Sequence, residues 1–159
     1  MSKTVLDVCC GGKMFYFNKT NPLVHFCDIR HESQTLCDGR IFTVSPDTVC
    51  DFTNLPFQDD SFHMVVFDPP HLVKVGRNSW LVKKYGKLPA DFTPLLTAGF
   101  RECFRVLKPN GTLIFKWNET DIKVSEVIKL TDQKPLLGQM TGKNGKTHWI
   151  VFMKDSEGS

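Results

Sequence analysis

Short apolar runs alternate with polar stretches along most of the chain. TVLDVCC (4–10), PLVHFCDI (22–29) and SFHMVVFD (61–68) each read as a strand, and RIFTVSP (40–46) as a weaker third strand before the last of these. From Thr93 to Leu107 the pattern changes. Leu95, Leu96, Phe100, Cys103, Phe104 and Leu107 recur at three- and four-residue steps, the period of a helix with one buried face. LKPNG stops that helix through Pro109, Asn110 and Gly111. TLIFKW (112–117) is a further strand, residues 121–131 hold a short helix, and 136–154 reads as two strands around Gly-Lys-Asn-Gly-Lys. The connection after the first strand has room for only a brief helix. Strands alternating with helices predict a mostly parallel sheet with helices on both faces, closed by a C-terminal antiparallel hairpin.

In such α/β sheets ligands bind beyond the carboxyl ends of the strands. The informative residues are therefore Asp7 to Gly12, Asp28, Asp68 to His71, and Lys116 to Asn118. Gly11 and Gly12 allow a sharp turn and close approach of backbone to a ligand. Asp7 can fix that turn or meet a ligand's ammonium group. Asp28 ends the second strand, where an acid accepts hydrogen bonds from ribose hydroxyls; the plain alternative is a surface or capping carboxylate.

Composition narrows this further. The chain has 159 residues, 41% of them hydrophobic and 23% charged, which suits one domain, expected over 1–155 with a flexible tail at 156–159. No apolar run approaches a membrane span, and the N-terminus enters a strand at once, so no membrane partner and a cytoplasmic location are expected. Cys9, Cys10, Cys27, Cys37, Cys50 and Cys103 form no C-x-x-C pair. They read as reduced thiols in core positions, and no metal is expected. The formal charge of +3 permits a polyanionic partner without demanding one.

Taken in order and spacing, DVCCGG (7–12 within 4–12), FCDI (26–29), CDFTNLPFQDDSFHMVVFDPP (50–70) and FRVLKPNGTLIFKW (104–117) resemble the class I S-adenosylmethionine-dependent methyltransferases, with a Rossmann-like seven-stranded sheet. The resemblance implies roles by position. The turn Cys9, Cys10, Gly11, Gly12 passes under the methionine part of the cofactor with Asp7 in support. Asp28 binds the ribose, and Asp51 with Phe52 meets the adenine. Cys9 and Lys13 stand where the family often places its outer glycines. The implied product is S-adenosylhomocysteine.

The tetrapeptide Asp68-Pro69-Pro70-His71 resembles the Asp-Pro-Pro-Tyr motif of the amino methyltransferases, which act on amine nitrogens attached to planar groups, adenine N6 above all. An exocyclic amine shares its lone pair with the ring and is a poor nucleophile. A carboxylate (Asp68) and a backbone carbonyl (Pro69) can each accept one of its N–H bonds, which directs the lone pair at a methyl donor. Prolines fix the backbone and bring no competing N–H. His71, in the place of the usual aromatic, can stack on a target ring, and its charge near pH 6–7 adds pH dependence. The alternative for the tetrapeptide is a stiff turn with a capping acid.

Between Asp68 and Asp91 there is no acid, while Lys74, Arg77, Lys83 and Lys84 interleave with Trp80 and Tyr85. Basic groups beside aromatics suit phosphates and bases together, so nucleic acid, DNA or RNA, is the expected partner. A solvated lysine face with a packed Trp80 is the alternative. A chain this short encodes little beyond a catalytic core, so recognition would rest on a homodimer or an accessory specificity subunit. Three functions stand at this point: methylation of adenine in nucleic acid, the same chemistry on a protein glutamine or a small molecule, and a catalytically silent cofactor-binding subunit.

Overall fold

The structure, a computed structural model, describes residues 3–73 and 88–156. In chain order its elements are β1 (Val5–Asp7), β2 (Val24–Asp28), β3 (Glu32–Thr35), β4 (Ile41–Val44), β5 (Thr48–Val49), β6 (Phe62–Phe67), α1 (Thr93–Val106), β7 (Leu107–Asn118), α2 (Val124–Ile128), β8 (Pro135–Thr141) and β9 (Thr147–Met153). Seven strands form one sheet in the order β5-β2-β1-β6-β7-β9-β8. The first five run parallel, β9 runs antiparallel to β7, and β8 pairs antiparallel with β9. The chain moves outward from β1 through β2 to β5, then returns to the other side of β1 with β6. That reversal opens a crevice between the carboxyl ends of β1 and β6, where an α/β sheet binds its ligands.

The core forms because alternate residues of each strand point to the same face. Leu6, Val65, Phe67, Leu113, Phe115 and Phe152 present that face, and Leu96, Phe100 and Cys103 of α1 cover it, all with no exposed surface. The Phe67 ring meets Phe52, Phe100 and Phe115 at centroid distances of 5.2, 5.2 and 5.7 Å. A glycine sits within this helix for a packing reason. A Cβ on Gly99 would stand 2.7 Å from the Phe67 ring and 3.0 Å from that of Phe52. Alanine gains about 1 kcal/mol of helix propensity, but overpacking costs about 1–3 kcal/mol. Gly99→Ala is therefore expected to lower the melting temperature by a few degrees in a thermal scan followed by circular dichroism. A melting temperature at or above the parent's would contradict the contact.

The hairpin appears as expected, with the five residues 142–146 between β8 and β9. Two expectations are corrected. First, RIFTVSP does not supply the third parallel strand. Its β4 pairs antiparallel with β3 as a separate two-stranded sheet, and the sheet position falls to the two-residue β5. Phe42 and Val44 are buried in a small cluster of their own with Leu36, while Asp47 ties β5 to β2 by bonding the Phe26 N–H and carbonyl. Second, among the described residues both helices pack on the same core cluster, and no helix follows β1. Asn18 and Asn21 accept from Thr20 N–H and Leu23 N–H, side-chain turns that compete with helix. Tyr16 covers this face of the sheet instead, edge-on to Phe26 at 4.8 Å. Among the described residues no helix is long and apolar enough to cross a membrane. All six thiols are free; Cys10, Cys27 and Cys103 are buried as expected, whereas Cys37 is exposed.

Candidate active site

The β1 strand delivers the chain into the crevice through a turn that two buried acids hold. Asp7 lies beneath it with no exposed surface. Its Oδ1 accepts from the Cys9 N–H at 3.1 Å and its Oδ2 from the Tyr16 hydroxyl at 2.8 Å. Burial pushes the Asp7 carboxyl up to about 7, against the pull of those two bonds. Asp28, at the end of β2, reaches across to the turn: Oδ2 accepts from the Gly11 N–H at 2.9 Å, and Oδ1 accepts from the Arg30 backbone at 2.9 Å and its Nε at 3.4 Å. A carboxylate offers roughly four lone-pair positions, so about one remains open to a ligand. Gly11 takes φ +52°, open to glycine at little cost, and a Cβ on Gly12 would stand 2.5 Å from the Phe42 ring. Both glycines are thus required, one by dihedral and one by space.

Beyond β5, Asp51 turns the chain by accepting from the Thr53 N–H and hydroxyl, both through Oδ1. That leaves Oδ2 open to a ligand. Phe52 is held edge-on by Phe67 at 5.2 Å. These residues line one cavity of about 410 Å³, together with Ile29, Met14, Phe15 and Leu95. Acids at the rim, flat apolar walls and a backbone turn at the floor match the donor and shape requirements of an adenosyl sulfonium cofactor, and the volume suits a ligand of that size.

The β6 strand ends at the same cavity with Asp68, Pro69, Pro70 and His71 in its wall. Asp68 Oδ2 lies 3.7 Å from Lys116 Nζ, which comes from the end of the neighbouring β7. Burial raises the Asp68 carboxyl to about 6, and Lys116 opposes that rise. The lysine itself sits over the rings of Phe15 and Trp149 at 5.3 and 5.4 Å. His71 packs edge-on to Trp117 at 6.0 Å. The expectation that His71 ionises near neutrality is corrected. Burial and the Lys116 charge lower it to about 4, with Asp121 and the Pro69 carbonyl opposing, so the imidazole is neutral in the working range.

Eleven predicted residues thus share one cavity wall: Cys9, Cys10, Gly11, Gly12, Asp28, Asp51, Phe52 and the four of the tetrapeptide. Asp7 stands behind them as a support. Lys74, Arg77, Trp80, Lys83, Lys84 and Tyr85 lie outside the described residues. Reading the sequence missed Phe15 and Tyr16. It marked Lys116 only as a strand end, and nothing local signals that this lysine faces Asp68. Among the described residues no three His, Cys, Asp or Glu side chains come together as a metal site would need.

No known protein family's profile matches the chain, and no curated protein matches it by sequence. Solved structures do match by shape. An S-adenosylmethionine-dependent methyltransferase from Methanosarcina mazei superposes with a TM-score of 0.58 at 13% identity, over 97% of this chain and 93% of that one. The N-methyltransferase NodS from Bradyrhizobium japonicum gives 0.59 at 11%, over 96% and 86%. A Haloferax volcanii methyltransferase complex with the activator Trm112 gives 0.53 at 14%, over 97% and 83%. The strand order, the crevice at the β1–β6 reversal and these superpositions agree: the chain has the Rossmann-like methyltransferase fold.

Proposed function

We propose that this protein is an S-adenosylmethionine-dependent N-methyltransferase whose acceptor is an exocyclic amine on a planar ring, adenine N6 in nucleic acid above all. One observation carries the reading: Asp68 and Pro69 share a cavity wall with the Cys9–Gly12 turn and with Asp28 and Asp51. In this reading the carboxylate and the carbonyl take the two N–H bonds of an amine, beside the place where a cofactor would rest. The cofactor supplies the activated methyl group when bound. Asp28 would hold its ribose and Asp51 its adenine amine, with Phe52 and Ile29 beside the adenine, and the turn held by Asp7 would lie under its methionine end.

At the acceptor side, Asp68 and Pro69 fix the amine nitrogen in line and stabilise the positive charge that grows on it. The proton becomes acidic only after transfer, so Asp68, raised to about 6, can then take it without being a strong base. Lys116 keeps Asp68 ionised before the amine arrives. A neutral His71, half-buried beside Trp117, offers a flat face to the target ring. A base in a duplex would have to leave the stack to reach this wall. The activator complex seen for a similarly folded protein favours an accessory subunit as the source of target selection.

The test is incubation with methyl-labelled cofactor and mixed DNA, RNA and protein pools, then digestion and identification of the labelled product. N6-methyladenine is expected. Label on a glutamine amide or a small molecule would replace the acceptor while keeping the amine chemistry. Cofactor binding with no transfer to any pool would leave the silent-subunit reading in its place.

A further inference from the structure

A second, open groove of about 440 Å³ adjoins the reaction cavity, and the two share Gly11, Gly12 and Met14 in their walls. Three cations line it, Lys13, Lys19 and Arg40, with the hydroxyl residues Thr20, Thr43 and Ser45 and no carboxylate. The cations come from separate stretches: two from the segment that replaces a helix after β1, one from the loop before β4. Lys13 holds a left-handed backbone, φ 57°, and its ammonium rests 4.3 Å from the Phe26 ring centroid. Arg40 Nε bonds the exposed Asp38 at 2.6 Å. An exposed pair of that kind contributes little and yields readily to a stronger anion. Between Lys13 and Lys19 in the chain comes Phe17, a fully exposed ring outside the groove's lining, and the exposed Met14 and Ile41 belong to that lining.

We infer that this groove binds the sugar–phosphate backbone of an unpaired nucleic-acid strand next to the target base, with Phe17 stacking on a neighbouring base. The inference rests on the nucleic-acid reading above and names a contact surface for that substrate outside the reaction cavity. Cations alone would suit any polyanion. The exposed ring flanked by lysines selects a strand that alternates phosphates with flat bases, because an acidic peptide would leave the ring in water. Continuity with the reaction cavity follows the same logic. The nucleotide whose base enters the Asp68 wall is covalently joined to phosphates that must lie within a few ångströms, and the floor of the groove begins at the glycine turn.

The experiment compares the parent with Lys19→Glu/Arg40→Glu and with Phe17→Ala on adenine-containing single-stranded 15-mers of DNA and RNA. It measures KM, kcat and the salt dependence of binding, with S-adenosylhomocysteine affinity as the check on folding. Removing two phosphate contacts from a single strand should flatten the log–log salt slope by about 1.4 and raise KM by about tenfold or more at low salt, with kcat nearly unchanged. Phe17→Ala should raise KM by about tenfold without changing the salt slope. Lys19→Arg/Arg40→Lys should retain most of the parent's KM. A parent that methylates the strands while the charge reversals leave KM and slope unchanged overturns the groove assignment alone. A parent that methylates no nucleic acid overturns the acceptor reading and the groove with it. Raised KM with an unchanged slope would show that the charges do not meet phosphates, and also overturns the assignment.

Discussion

Asp68→Asn is expected to lower kcat for methyl transfer by about 10²–10⁴-fold while S-adenosylhomocysteine affinity stays near the parent's. Asparagine keeps the side chain's size, so the cavity wall persists. It replaces one acceptor oxygen by an NH2 group, which would face an amine that also donates, and it removes the charge that balances a cationic nitrogen. The pH profile gives an independent check. In the parent the accepting form is the carboxylate, whose pKa burial has raised to about 6. Activity should therefore rise from pH 5 to pH 7 with a midpoint near 6 and level off above. Since His71 is lowered to about 4, no imidazole limb should appear between pH 6 and 8. Asp68→Asn should lose the rising limb. Turnover near the parent's, or a limb that survives the substitution, would remove Asp68 from the proposed role.

The second large effect concerns stability. The Asp7 carboxyl is raised to about 7 in the fold by burial, against an unfolded value of about 3.9. A raised acid favours the folded state most when protonated. Its contribution is fully present below pH 4 and is lost as pH rises through about 7, a change on the order of 4 kcal/mol by linkage. Asp68, raised to about 6, acts in the same direction. Asp7→Asn should delete the larger part of this dependence. The amide oxygen can still accept from the Cys9 N–H, and the Tyr16 hydroxyl can turn to accept from the amide NH2. Urea denaturation at pH 5 and pH 8 should show the parent losing stability across that interval and the variant losing much less, so that the variant overtakes the parent at pH 8. Equal losses in both proteins would mean that Asp7 does not titrate in this window.

The two acids also show which parts of the site sequence can carry. Asp68, Pro69 and Pro70 were legible because a strand run ends on them abruptly, and because prolines fix the backbone wherever they stand. Asp7 and Asp28 were legible as strand ends in an alternating pattern, and Asp51 only through the family resemblance. What Asp28 does there was not. Whether its oxygens meet a ribose or the Gly11 N–H depends on how close β1 and β2 bring two residues 17 positions apart. His71 shows the same limit, since its neutrality comes from burial and from Lys116, a residue on another strand.

By itself the sequence determined the periodicities: strands that end in acids, one amphipathic helix, and a hairpin around a Gly-Lys-Asn-Gly-Lys turn. These are local properties, set by how side chains alternate and which residues can turn. Tertiary structure decided the partners. RIFTVSP has a strand's pattern, yet its buried Phe42 and Val44 found their own small cluster and the two-residue Thr48–Val49 took the sheet edge, because long-range hydrogen bonds to β2 outweigh local propensity. The same long-range approach brought Lys116 to Asp68 and set Lys19 and Arg40 around one groove, pairings that no spacing along the chain encodes.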